Sequence, residues 1–276
     1  MNKIDFLSPI GIKNKTRIGR NLDGGYVVYN GTLAVTDRLL TYGVGWETSF
    51  EEDFNARTGK PVLMFDPTLF EAPAAYRRKY RRFLKSLQFR EARKYRRETR
   101  FWKNYLGVLQ ARHIGYVEEG ISPEKNGQYD TLEHHIERFR LKNETLLLKI
   151  DIEGGEYGLL DHPRFLACLG QVNQLVFEFH DLKNRLRDVE KILRLLGADF
   201  ALVHVHGNNY GETFVAYDIA GNGAGDVMIP DVIEATLVRR SAIRQEDLVH
   251  ETVSYPIPDL DYPNDPNRQD LPLDFA

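Results

Sequence analysis

The chain has 276 residues, 42% of them hydrophobic, and a formal net charge of -3. That is enough apolar material for one large domain, or one domain carrying an insertion, while the longest apolar runs are far too short to span a bilayer. Met1 to Phe6 carries no apolar signal core, and the one cysteine, Cys168, excludes an intrachain disulfide and a multi-cysteine zinc site, so a soluble cytoplasmic protein with an inert thiol is expected.

In chain order, Asp23-Gly24-Gly25 reads as a turn into a short strand. A strand follows at Arg38 to Tyr42 and stops at Gly43-Val44-Gly45. Ser49 can cap a helix through Phe54 and Ala56 that ends near Gly59, and Val62 to Phe65 is a second strand ending in Asp66. Glycine leaves backbone open to a ligand, the helix beyond offers a positive dipole, and Asp66 can accept ribose hydroxyls, which together suit an adenosine-bearing cofactor. The third glycine of a dinucleotide fingerprint is missing, so a pyrophosphate fits poorly.

Next comes a basic segment, 74–106, read as one or two amphipathic helices inserted after the second strand, with Tyr80, Phe83, Leu84 and Leu87 at near-helical spacing. Between Arg77 and Lys103 thirteen Lys/Arg face only Glu91 and Glu98, a net +11 that leaves -14 on the remainder. Like charges at Arg77/Arg81 and Arg93/Arg97 oppose a helix unless anions compensate. The segment is either a solvated face or a site for an anionic partner: an acidic glycan, a lipid headgroup surface, nucleic acid, or the chain's own acids at Asp259, Asp261, Asp265 and Asp270.

A third strand is expected near Ala111 to Val117, a helix at Thr131 to Phe139, and a fourth strand at Thr145 to Ile150, apolar on both faces as in a parallel sheet. A helix at Tyr157 to Leu169, a strand at Gln174 to Phe179, a helix at Arg185 to Leu196 and strands near Ala201 to Val205 and Thr213 to Tyr217 continue the alternation. Val227 to Val238 closes the sheet as a strand or a helix-strand pair, and 255–276, rich in Pro and Asp, reads as an extended arm. The whole implies one α/β domain, a twisted and mostly parallel sheet with helices on both faces.

The fourth strand leads into Asp151-Ile152-Glu153-Gly154-Gly155-Glu156-Tyr157. This turn resembles the signature of the FkbM-like family of class I S-adenosylmethionine-dependent methyltransferases. Asp23-Gly24-Gly25-Tyr26, Tyr42-Gly43-Val44-Gly45 with Ser49-Phe50-Glu51, Thr131-Leu132-Glu133 and Val176-Phe177-Glu178-Phe179-His180 match as well. Glu133 departs from the Asp usual there. The resemblance covers roughly 17–70 and 110–210 and implies a Rossmann-like class I methyltransferase fold with S-adenosyl-L-methionine as cofactor. It places Asp23, Gly24, Gly25, Tyr42, Gly43, Gly45, Glu47, Asp66 and Asp151 at the cofactor, with Glu47 or Asp23 on its amino group and Asp66 on its ribose. The acceptor it implies is a hydroxyl, on a sugar of a surface polysaccharide or glycolipid.

Methyl transfer from a sulfonium needs alignment and a base. Asp151, His180 and His206 are the catalytic candidates, at strand ends where open parallel sheets bind ligands. Asp151, Glu178 and His180 can also converge on Mg or Mn, a Lewis acid for a diol. Glu153, Asn208, Asn209, Arg77 and Arg81 are candidates for the anionic or saccharide acceptor. Bland readings stand beside these: Asp151 and Glu156 as helix caps, His180 and His206 as satisfied core histidines. A nucleic-acid methyltransferase using the basic segment as its clamp, and a silent binding or assembly module of the same fold, are the alternatives. The oligomeric state is left open.

Overall fold

The computed structural model describes residues 5–45, 47–68, 71–216, 227–250 and 254–273. The chain opens on an antiparallel hairpin, β1 (Lys15–Ile18) and β2 (Tyr26–Tyr29), followed by a single turn, α1 (Asn30–Leu33). The alternation then runs β3 (Arg38–Tyr42), α2 (Ser49–Thr58), β4 (Val62–Phe65), α3 (Glu71–Lys85), α4 (Phe89–Ala111), β5 (Ile114–Val117). Two short strands, β6 (Gly120–Ile121) and β7 (Tyr129–Asp130), precede α5 (Leu132–Arg138) and β8 (Leu146–Ile150). After these come α6 (Glu156–Leu160), α7 (Pro163–Cys168), β9 (Val172–Phe179), α8 (Leu182–Leu196), β10 (Phe200–Gly207), β11 (Thr213–Ala216), β12 (Val227–Pro230) and β13 (Ile233–Arg239).

Seven strands make the central sheet in the order β10-β13-β9-β8-β3-β4-β5, parallel except for β13, which runs antiparallel to both neighbours. From β3 the chain winds one way through β4 and β5 and the other way through β8 and β9. The strand order therefore reverses between β3 and β8, and a crevice must open beyond their carboxyl ends. This is the Rossmann-like α/β fold expected of a class I methyltransferase, with the basic segment inserted between β4 and β5.

Burial follows the two-residue period. Leu40, Tyr42, Leu146, Leu148, Ile150, Leu175 and Phe177 face a core shared with α5 to α8. Leu39, Val62, Met64, Leu147 and Val176 face the opposite core, built with Tyr26 and Val28 of the hairpin, Phe50 and Phe54 of α2, and Leu106 and Leu109 at the end of α4. The expected helix at 157–169 is divided into α6 and α7, because Pro163 cannot donate to the preceding turn and starts α7 instead. The segment from Val227 to Val238 is two strands separated by Asp231 and Val232, and the expected end of the preceding strand at Tyr217 lies outside the described residues.

The C-terminal segment is not an extended arm. Over 254–273 it folds back across the sheet, with Tyr255 and Leu273 bridged to each other and buried in the main core, and Leu271 bridged to Gly207. Three of its acids are spent there. Asp261 meets His204 at 2.8 Å, Asp270 meets His206 at 2.9 Å, and Asp265 pairs with Arg268. These three do not neutralise the basic helices.

Candidate active site

The turn after β3 is shaped first by the chain itself. Gly43 has φ +76, and a side chain there would put its Cβ 1.5 Å from the Asp151 carbonyl, so β3 and β8 approach only because this residue is glycine. The Asp151 N–H donates to the Tyr42 carbonyl at 3.0 Å and locks the two strand ends together. Gly45 is different: φ is +56 and nothing lies within 4 Å of its missing Cβ, so it borders open space. Its N–H donates to Asp66 Oδ2 at 2.7 Å, while Asp66 Oδ1 accepts from the Thr68 N–H and hydroxyl at 2.7 Å each. Asp66 is thus rigidly aimed at the end of β4.

A cleft of about 340 Å³ opens at this point. Its wall carries Asp23, Glu47, Glu51, Asp66, Asp151 and Glu153 against a single cation, Lys149. Six carboxylates around one ammonium repel phosphate and favour a positively charged ligand. Tyr26 and Phe50, edge to face at 5.4 Å, supply apolar wall.

Behind the cleft, Tyr26 offers one hydroxyl proton to two carboxylates, Asp151 Oδ2 at 3.1 Å and Glu178 Oε2 at 3.0 Å. Lys149 lies 4.8 Å from the Tyr26 ring centroid and donates to Asp151 at 3.3 Å. Burial works against the Lys149 charge, but Asp151, Glu51 and Glu178 outweigh it and raise the ammonium above its ordinary range. Burial, with Asp151 and Glu234 nearby, pushes Glu178 up to about 8. For His180, burial is opposed by its bond to Glu156 and by Glu178 and Asp151, which push it up to about 9. His180 therefore carries its proton at neutral pH and, in this state, is no general base.

Asp151, Glu178 and His180 do converge, with one ligand atom from each within 4.8 Å of the others. Nε2 of His180 stands 3.8 Å from Asp151, 3.9 Å from Glu178 and 3.7 Å from the exposed Glu153. Its Nδ1 is taken by Glu156 at 3.2 Å, and Glu156 also accepts from the Gly154 N–H. Glu156 is fully buried and orients the histidine, a role beyond that of a helix cap.

Several expected contacts are otherwise employed. Tyr42 buries its ring against Phe65 and bonds His135, so only its backbone reaches the site. Gly24 lines the cleft beside Glu47, whereas Gly25 packs against Arg20 and Arg17 outside it. Glu47 accepts from the Ser49 N–H through one oxygen and pairs with Arg20 through the other, while the N-cap position of α2 is Thr48 and not Ser49. His206 is buried with both ring nitrogens on carboxylates, Glu234 and Asp270, which outweigh burial and push it up to about 10. A histidine so held cannot accept a substrate proton. Asn208 donates to Glu178 at 2.7 Å and Asn209 to arm carbonyls, so both amides brace the interior and are closed to an acceptor. Arg77 and Arg81 are exposed on α3 and do not line the cleft.

No known family and no curated protein matches the chain. Among solved structures it is similar to the crystal structure of the 23S rRNA methyltransferase ErmE, with a TM-score of 0.34 and 12% identity over 82% of this chain and 72% of that one. The strand order, not that overlap, carries the fold. Sequence reasoning missed Glu51 and Lys149. Glu51 is buried, bonds Thr41 through one oxygen and leaves Oε2 without a partner at the cleft wall. A lysine inside the apolar run of β8 is itself a signal, since lysine is almost never fully buried unless paired.

Proposed function

We propose that the chain is an S-adenosyl-L-methionine-dependent methyltransferase of FkbM-like type, which methylates a hydroxyl on a sugar of a polysaccharide or glycolipid. The observation that carries the reading is the acid-lined cleft at the reversal of strand order. Its charge suits a sulfonium and an ammonium and disfavours a dinucleotide pyrophosphate. Asp66 would take the ribose hydroxyls, Asp23 with Glu51 the amino group, and Gly45 the backbone approach. In the transfer, the acceptor oxygen bonds the methyl carbon, the carbon–sulfur bond breaks, and the electron pair stays on sulfur as a thioether. Asp151, one-fifth exposed in the wall of the cleft, would take the hydroxyl proton.

The Asp151, Glu178 and His180 set would hold a divalent cation such as Mg or Mn, since one ligand atom from each lies within 4.8 Å of the others, and binding would release the protons that Glu178, pushed up to about 8, and His180, pushed up to about 9, hold at neutral pH. Such an ion would lower the pKa of the acceptor hydroxyl. Titration with Mn, read by its paramagnetic signal, should show one site that Glu178→Gln removes; an unchanged signal would rule out the ion.

Calorimetry with S-adenosylmethionine and with NAD tests the cofactor. Binding of the first and not the second is expected, and no binding of the sulfonium would sink the proposal. The basic helices are the observation that favours a nucleic-acid acceptor instead. Methyl incorporation into RNA but not into glycan would decide for it.

A further inference from the structure

The hairpin of α3 and α4 stands away from the domain. Between Tyr76 and Tyr105 only Ala92 is buried, and attachment comes at the far end, where Tyr105 bonds Glu52 and Leu106 and Leu109 enter the core. From Phe89 to Leu106 the helix rises about 25 Å, so the turn at 86–88 is a projecting tip.

Three large apolar side chains are exposed at that tip: Leu84 by 43%, Leu87 by 72% and Phe89 by 60%. Leu87 sits at φ +56, a position where glycine or asparagine is the ordinary choice. An exposed leucine there contradicts both the backbone preference and the solvent. On the last turns of α3, Arg78, Arg81, Arg82 and Lys85 border a shallow hollow with Ser86. Among the described residues, Arg97 is the one cation of the thirteen with an ion pair, to Glu98 at 3.9 Å.

We propose that this tip is a membrane-surface anchor: Leu84, Leu87 and Phe89 enter the interfacial layer of a bilayer while Arg78, Arg81, Arg82 and Lys85 hold anionic headgroups. Charge decides for an anionic surface, and the kind of apolar group decides for lipid over RNA. Bases stack on free aromatic faces. Here Phe83 lies flat on Tyr95 and Tyr76 packs on Tyr95, so the hairpin spends those rings on its own packing, and Phe101, 57% exposed and stacked on Tyr105, lies on α4 away from the tip. What remains at the tip is mainly aliphatic, which serves insertion and not stacking. The proposal stands without the cofactor reading, because none of these residues lines the cleft.

Sedimentation of the full chain with vesicles tests it. With vesicles of phosphatidylcholine containing about 30 mol% phosphatidylglycerol the chain should pellet, and with pure phosphatidylcholine it should not. Leu87→Ser/Phe89→Ser should weaken the anionic binding about tenfold, and Arg78→Glu/Arg82→Glu/Lys85→Glu about a hundredfold, each with an unchanged melting temperature. Failure to pellet with anionic vesicles, or equal pelleting with neutral ones, overturns the proposal. So does a Leu87→Ser/Phe89→Ser variant that binds vesicles like the wild type. Gel retardation of a single-stranded RNA by a chain that ignores anionic vesicles would assign the tip to nucleic acid.

Discussion

Gly43 and Asp66 serve different ends although both lie at the carboxyl ends of paired strands, β3 and β4. Gly43→Ala would drive a methyl group into the Asp151 carbonyl in a left-handed backbone, so the loss should be at least ~2 kcal/mol, read as a lower denaturation midpoint. Asp66→Ala should instead leave the fold in place and weaken binding of S-adenosylmethionine ~30-fold by calorimetry, since it removes charge-assisted acceptors. If both variants behave alike, the division between scaffold and ligand contact is mistaken. Glu178→Gln should keep cofactor affinity and reduce the methyl-transfer rate ~100-fold, in the range of a lost proton-transfer or charge-placing group. The glycines and Asp66 were legible in the sequence because they punctuate apolar runs. Glu51 and Lys149 were not, because a charge inside a helix or strand shows its partner only when β2, β3 and β8 are brought together.

Among elements, the strands were the most legible, since both faces of β8 and β9 are covered, which leaves β8 apolar but for Lys149 and β9 apolar over Leu175 to Phe177. The C-terminal arm was the least legible. Its acids look like solvated charges in sequence, and only the sheet reveals His204 and His206 opposite Asp261 and Asp270. His206 has its proton affinity raised from the ordinary 6.5 to about 10 by Asp270 and Glu234 in spite of burial. Its contribution to stability is therefore complete below pH 6.5 and fades as pH rises toward 10. The melting temperature of the wild type should fall over that interval, and His206→Gln should flatten this slope while lowering stability at pH 6. A slope that His206→Gln leaves intact would place the pH dependence elsewhere.

For the whole molecule, charge is partitioned: +11 on one hairpin and -14 on everything else. No helix among the described residues is long and apolar enough to cross a membrane. Because α3 packs along α4 and only the last turns of α4 join the core, replacing 76–103 with a short flexible link should leave a folded protein that still binds S-adenosylmethionine. Circular dichroism and calorimetry on that variant would check it. Collapse of the fold would show that the insertion is structural.

The bond between Asn264 and Asp23 spans 241 residues and ties the returning arm to the rim of the cleft. Asn264 also donates to Glu234 at 2.8 Å, so one side chain joins the first loop, the antiparallel strand and the last segment. The loop that this bond closes contains every strand of the central sheet. A chain cleaved just before Asn264 would therefore lose this tie at the rim of the cleft while keeping every strand of the central sheet.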